Sequence, residues 1–164
     1  MRLSPRLLLL PLALLALAAA QKPYKLEGHE VKVADAVVFA EGSDRLLPES
    51  ETALDAVKTY LDDKKYVTTL RVEAHTEAGG ERNQELSERR ALAVARRLVE
   101  KGVECGRLVA VGFGGTKPVA PDDTPENRAK NRRVSFFNAA LGGHLIGGAP
   151  ADGGGHVAGD PCGK

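Results

Sequence analysis

One segment near the middle of the chain constrains the fold more than any other. From Thr68 to His75, apolar side chains alternate with polar and charged ones, as in a strand with one buried face. A loop with two glycines follows, and Gln84 to Lys101 then carries apolar residues at helical spacing until Gly102 ends the helix. A strand that leads through a short loop into an amphipathic helix predicts an α/β fold.

The other predicted elements extend this pattern in both directions. Residues 31–39 are apolar and β-branched, which predicts a first strand, and residues 48–61 predict a helix that begins at a proline. Two more strands are predicted at residues 107–111 and 133–137, with a short helix at 123–127 between them. The order β-α-β-α-β-(short α)-β predicts a single-domain α/β sandwich with some parallel pairing.

The two ends of the chain differ in composition from this domain. Residues 1–20 combine a cationic start, an apolar run and a small-residue end, which predicts a cleaved secretory signal peptide, with an uncleaved membrane anchor as the alternative. Residues 21–30 are a lead-in, and residues 31–138 form the predicted domain. Residues 139–164 hold nine glycines in 26 residues, and such a segment buries too little apolar surface to offset its ordering entropy. We therefore predict a disordered tail.

Charge and aromatic content exclude one class of partner. Without the two arginines of the leader, 21 basic side chains remain against 22 acidic ones, a formal charge of −1. Nucleic-acid binding favours a clearly basic surface, and the chain has no tryptophan on which bases could stack. We expect no nucleic-acid partner.

The sequence offers little support for catalysis. Its four histidines lack metal-ligand spacing, no nucleophile elbow is present, and Cys105 has no evident partner base. The glycine-rich segment from Val111 to Pro118 is not a phosphate loop, because its threonine precedes its lysine and a proline follows. We predict neither an enzyme nor a cofactor. Cys105 and Cys162 form a disulfide or remain free thiols, and the sequence does not distinguish these states.

One arginine of the second helix departs from the amphipathic pattern. Arg89 points away from the apolar stripe, towards Glu85 one turn earlier, as a surface residue does. Arg90 lies at the edge of the stripe, where a guanidinium needs an acceptor from the protein or from a ligand. Glu77 follows the preceding strand, at the sheet edge that ligands favour in α/β folds. An acid, loop amides and an inward arginine predict a site for a small zwitterion, whereas the simpler interpretation is a solvated loop and helix.

Several short motifs occur in the order that a known family of domains uses. They are Ala74-His-Thr-Glu77, Gly80, Asn83-Gln-Glu-Leu-Ser-Glu-Arg-Arg-Ala-Leu-Ala-Val94, Gly112-Phe-Gly-Gly-Thr-Lys-Pro118 and Asn131-Arg-Arg-Val134. With these motifs, nearly all of residues 31–138 resembles the OmpA-like C-terminal domain, which peptidoglycan-associated lipoproteins and flagellar motor stator proteins share. The resemblance implies a mixed sheet with the helices on one face.

The resemblance also implies a ligand. Family members hold the diaminopimelate side group of peptidoglycan non-covalently in the periplasm. Carried over by position, Glu77 meets the ammonium group and Arg90 the carboxylate. Further candidate ligand-binding residues, which close, line or support the pocket, are Thr76, Phe39, Asn83 and Arg133.

Two departures from the family pattern bear on this site. Glu77 stands where relatives usually have aspartate, and the segment from Gly80 to Asn83 is shorter than usual. A shorter loop draws the backbone back, so that the longer side chain compensates; the alternative is a pocket that has lost its ligand or binds a different one.

The resemblance also bears on partners and location. Many relatives attach this domain to an outer-membrane barrel or a lipid, and we expect neither here, since no acylation cysteine follows the leader. We expect an exported periplasmic protein that binds peptidoglycan, associated with the cell wall or the outer membrane. The alternative is a scaffold of the same fold that contacts other envelope proteins.

Overall fold

The computed structural model of the chain describes residues 21–147 and 152–163. The predicted signal peptide lies outside the described residues. In chain order the strands and helices are β1 (Tyr24–Glu27), β2 (Glu30–Val33), α1 (Glu51–Asp63), β3 (Val67–His75), α2 (Gly80–Glu100), β4 (Leu108–Gly114), α3 (Pro125–Asn131), β5 (Arg133–Leu141), β6 (His144–Leu145) and β7 (His156–Val157).

The strands form one mixed sheet. Its order is β1-β2-β5-β3-β4-β7, and β6 pairs with β5. The β3–β4 pair is parallel and the β3–β5 pair is antiparallel, which confirms the predicted mixed sheet. The ends of β3 and β4 and the start of β5 therefore meet at one edge, where His75 pairs with both Gly114 and Arg133.

The core lies between one face of this sheet and the two long helices. Alternation along β3 turns every second side chain towards the helices, and the 3.6-residue period of α1 and α2 gives each an apolar stripe. The buried side chains from these three elements include Leu54, Val57, Leu61, Leu70, Val72, Ala74, Ala91, Val94 and Leu98. Each large apolar side chain contributes about 1.5–3 kcal/mol on full burial. The prediction that the helices pack on one face is confirmed for α1 and α2.

The first predicted strand differs from the structure. β1 and β2 pair as a hairpin, and Gly28 at its turn has φ 60°, so part of the predicted lead-in belongs to the sheet. The chain leaves the sheet after Val33, and Phe39 forms only an isolated bridge with Leu46. Val37 and Phe39 still pack against the core from this loop. An apolar pattern reports such packing whether or not the backbone pairs, which explains the difference.

The tail also differs from the prediction of disorder. β5 continues to Leu141, β7 pairs with the outer edge of β4, and Ala158 is buried against the core. Gly155 lies so close to Phe113 that a Cβ atom would be 2.6 Å from its ring. Glycine here permits close packing, although a glycine-rich composition on its own indicates disorder.

A disulfide explains why this segment stays on the domain. Cys105 and Cys162 are bonded, which resolves the two states that the sequence left open. The link closes a loop across a separation of 57 residues. Restricting the unfolded chain over such a loop stabilises the fold by about 4 kcal/mol.

Candidate functional site

A cavity of about 720 Å³ opens at the sheet edge where β3 ends and β5 begins. One wall is the start of α2, and the other is the loop between β2 and α1. All six residues that the sequence indicated line this cavity, namely Phe39, Thr76, Glu77, Asn83, Arg90 and Arg133. The structure therefore brings the candidates together, and their contact with a ligand stays a prediction.

Arg90 is held in a fixed position in one wall. The residue is only 9% exposed, its Nε donates a hydrogen bond of 2.8 Å to the carbonyl of Ser43, and its guanidinium lies 4.8 Å from the centre of the Phe39 ring. Burial, with a smaller contribution from Arg132, lowers the pKa of Arg90 from its ordinary value. No carboxylate of the described segments forms an ion pair with Arg90. Its Nη groups are therefore available to an acceptor from outside.

Glu77 lies at the rim and already has a partner. Arg132 Nη1 donates to Glu77 Oε2 at 2.7 Å, and Arg128 Nε lies 4.0 Å from the same oxygen. Both arginines belong to the segment formed by α3 and the residue after it, which leads into β5. The sequence did not indicate Arg132 as a residue of the site, although the motif Asn131-Arg-Arg-Val134 contains it. No periodicity applies between α3 and β5, so the pattern did not indicate which of two adjacent arginines meets the acid.

Asn83 holds the loop between β3 and α2. The helix begins at Gly80, one turn earlier than predicted, so Asn83 lies in its first turn. The Asn83 amide donates to the carbonyls of Glu77, at 3.0 Å, and Ala78, at 3.3 Å. Gly80 has φ 62°, and a Cβ atom on Gly79 would lie 2.1 Å from Asn83 Nδ2. The two glycines thus permit a tight loop that fixes the backbone of Glu77.

Thr76 and Arg133 use their polar atoms within the protein. The Thr76 hydroxyl donates to the carbonyl of Glu77 at 3.0 Å. Arg133 donates to the carbonyl of Lys117 at 3.1 Å, and burial lowers the pKa of Arg133. These contacts favour supporting roles. Asn131 also has a supporting role. Its side-chain oxygen accepts hydrogen bonds from the backbone amides of Val119 and Ala120, which fixes the segment after β4.

His75 forms the floor of the cavity. It is 2% exposed, its Nε2 lies 3.3 Å from Glu73 Oε2, and its ring stacks on Phe113 with 5.2 Å between centroids. Burial lowers the pKa of His75 more strongly than Glu73 raises it. The contacts of His75 are therefore with side chains on the face of the sheet opposite the long helices.

Two kinds of feature are absent from the part of the chain that the structure describes. Between residues 21 and 147 and from 152 to 163, no group of three or more His, Cys, Asp or Glu residues could hold a metal ion. No helix in the same two segments is long and apolar enough to span a bilayer.

Known proteins resemble this chain over the region that builds the cavity. The outer-membrane lipoprotein YfiB of Pseudomonas aeruginosa is 37% identical over 113 residues, which cover 68% of this chain and 67% of that protein. The peptidoglycan-associated lipoprotein of the same organism is 40% identical and covers 60% of this chain and 58% of its own length. The solved cell wall anchor of the type VI secretion system (T6SS) of Pseudomonas aeruginosa superimposes with a TM-score of 0.59 at 27% identity, over 72% of this chain and 88% of the anchor.

These relatives are envelope proteins by name, in agreement with the predicted export and envelope location. The fold of the solved anchor agrees with the predicted α/β architecture. The sequence profile of the OmpA family matches residues 38–132, from the wall of the cavity at Val38 to Arg132 at its rim. This chain is therefore a member of the OmpA family.

Proposed function

We propose that the domain binds peptidoglycan non-covalently and holds the diaminopimelate side group of the stem peptide in the cavity beside β3. The observation that carries this proposal is Arg90. A guanidinium that is buried against Phe39, with one backbone acceptor and no carboxylate partner in the described segments, leaves donors available to a ligand. A planar guanidinium suits a carboxylate, because two parallel hydrogen bonds can form.

Glu77 supplies the charge opposite to that of Arg90 in the same cavity. The free end of a diaminopimelate side group carries a carboxylate and an ammonium group on one carbon atom. Arg90 and Glu77 both line the cavity, so each charge of this zwitterion can meet its opposite. The Phe39 ring provides an apolar wall for the methylene chain. The longer side chain of Glu77, relative to aspartate, reaches the rim from the loop that Asn83 tightens.

This function places the protein in the periplasm, where it would act as a wall-binding module and not as an enzyme. The relatives are named as lipoproteins and a cell wall anchor, and the prediction of a signal peptide agrees with export. Binding of this kind requires only a pocket and opposite charges, and both are present.

A second candidate function has one observation in its favour. Arg132 neutralises Glu77 in the structure, as expected if the acid no longer served a ligand. The domain would then be a scaffold that contacts another envelope protein through the same fold. Arg90 argues against this alternative, because a buried guanidinium without a ligand is unfavourable.

Co-sedimentation with isolated sacculi of the diaminopimelate type tests the proposal. Residues 21–164, with the disulfide intact, are compared with the variants Glu77→Ala and Arg90→Ala after circular dichroism has shown that all are folded. The matched control is Arg89→Ala, since Arg89 neighbours Arg90 but is exposed and lies 3.9 Å from Glu85. We expect wild type and the control to pellet with sacculi, and both cavity variants to stay in solution. If the wild type also stays in solution, the proposal is wrong and the scaffold function is favoured.

A further inference from the structure

The ion pair between Glu77 and Arg132 offsets the negative charge that a ligand ammonium group requires. Arg132 Nη1 lies 2.7 Å from Glu77 Oε2, within the range of a charge-assisted hydrogen bond. The guanidinium offsets the charge of Glu77 and repels an ammonium group that approaches the same carboxylate. Any ligand that uses Glu77 must therefore compete with Arg132.

The pair is placed so that it can open. The side chains of Glu77 and Arg132 are 34% and 45% exposed, and ion pairs in contact with water contribute little to stability. Arg132 has no second carboxylate partner within the described segments. Solvation by water can replace the contact when the guanidinium moves away.

The cavity also brings Arg132 near Arg90. Arg132 and Arg90 line the same cavity, and Arg132 is close enough to contribute to the lowered pKa of Arg90. Two guanidinium groups that repel each other attract a carboxylate between them. A ligand carboxylate bound to Arg90 would therefore draw Arg132 away from Glu77.

We propose that ligand binding replaces the Glu77–Arg132 ion pair with contacts from both residues to the ligand. In the free protein Arg132 neutralises Glu77; in the complex the ligand ammonium replaces it, and Arg132 joins Arg90 on the ligand carboxylate. This inference rests on the proposed function and makes Arg132 a specificity-determining residue. A ligand with both charges gives Glu77 and Arg132 each a new partner. An amine without a carboxylate breaks their ion pair and leaves Arg132 without an anionic partner.

The ligand class that follows is narrower than that of the proposed function. The exchange requires an ammonium and a carboxylate group on one carbon atom, as in the free end of meso-diaminopimelate. A side group whose carboxylate is amidated, or one that ends in a simple amine, meets Glu77 but cannot recruit Arg132. The site would therefore distinguish peptidoglycan side groups by the presence of a free carboxylate, although Glu77 itself contacts only the ammonium group.

The test measures two probes against one substitution. The two probes are stem tripeptides that contain meso-diaminopimelate and differ only at its free end, which carries a carboxylate in the first and a carboxamide in the second. Their binding is followed by isothermal titration calorimetry and by amide chemical shifts, in wild type and in Arg132→Gln. We expect wild type to prefer the carboxylate probe by about tenfold or more, which corresponds to about 1.4 kcal/mol. We expect Arg132→Gln to bind the carboxylate probe about threefold to tenfold more weakly and the carboxamide probe more tightly than wild type does.

The opposite signs of these two changes distinguish exchange from simpler roles. If Arg132→Gln binds both probes more tightly, Arg132 is only a competitor; if it binds both more weakly, or is unchanged, Arg132 makes no exchange. Each of these results overturns the inference while the proposed function stands. If wild type binds neither probe nor sacculi, the proposed function fails and the inference fails with it. Arg128→Gln is the matched control, since Arg128 lies 4.0 Å from Glu77 but does not line the cavity, and we expect it to retain the preference.

Discussion

Two glutamates four positions apart form ion pairs of nearly equal length in very different surroundings. Glu73, within β3, contacts Arg71 at 2.6 Å, and their side chains are 3% and 11% exposed. Glu77, beyond the end of β3, contacts Arg132 at 2.7 Å, and their side chains are 34% and 45% exposed. The charges and distances are almost the same, but only the second pair is in contact with solvent.

The difference follows from where β3 ends. Inside the sheet, Glu73 lies on the face opposite α1 and α2, between Arg71 and His75, and Arg71 also lies 5.6 Å from the centre of the Phe137 ring. A charge that is removed from water there depends on its neighbours. Past His75 the backbone leaves the sheet, and the side chain of Glu77 is partly exposed to solvent. We therefore expect Glu73 to serve stability, whereas the exposure of Glu77 is what the proposed ligand contact requires.

The largest effect that this comparison predicts is on Glu73. Glu73→Ala leaves the Arg71 guanidinium without its buried partner, and loss of one member of a buried pair costs about 3–5 kcal/mol. We expect the free energy of unfolding, measured with urea, to fall by about 3 kcal/mol or more. The double variant Arg71→Met with Glu73→Leu is the control, because apolar replacement of both partners restores much of the stability. An unchanged midpoint for Glu73→Ala would contradict a structural role.

The sequence predicted the strand that carries Glu73 but not the burial of that residue, because alternation predicted one buried face whereas Glu73 is buried on the other. It indicated only part of the surroundings of Glu77. Alternation along β3 predicted a strand, and helical spacing singled out Arg90, because both patterns record which side of an element is buried. Arg132 lies between elements, where no pattern indicates a direction, and its contact with Glu77 joins residues that are 55 apart in the chain. The ordered tail was missed for a similar reason, since a disulfide and a short strand pairing supply contacts that glycine content does not report.

A smaller effect should appear when the pH is lowered. Burial lowers the pKa of His75 below its ordinary 6.5. Burial alone would raise the pKa of Glu73, but contacts with His75 and Arg71 outweigh it and hold that pKa below 4.5. A lowered pKa means that the unfolded chain takes up the proton first, so stability is lost as the pH falls below the ordinary value. Protonation linked to His75 therefore lowers the free energy of unfolding below about pH 6.5, and protonation linked to Glu73 lowers it below about pH 4.5.

This pH dependence can be assigned by substitution. One proton contributes at most about 1.4 kcal/mol per pH unit, so we expect wild type to lose no more than about 2 kcal/mol between pH 6.5 and pH 5 through His75. His75→Phe keeps an aromatic ring beside Phe113 and removes the titrating group. The measurement is the free energy of unfolding at pH 7.5, 6 and 5. If His75→Phe and wild type lose stability equally over this range, His75 is not the group that titrates.

The smallest predicted effect on stability belongs to Glu77, and it tests the comparison most directly. Glu77→Ala removes an ion pair that water already reaches, and exposed pairs contribute about 0–1 kcal/mol. We expect the free energy of unfolding to change by less than about 1 kcal/mol, while binding to sacculi is lost. The same urea titration that is used for Glu73→Ala gives both values on one scale. A loss as large as that of Glu73→Ala would mean that the Glu77–Arg132 pair holds the cavity edge together and cannot open for a ligand, which would contradict both the comparison and the ion-pair exchange.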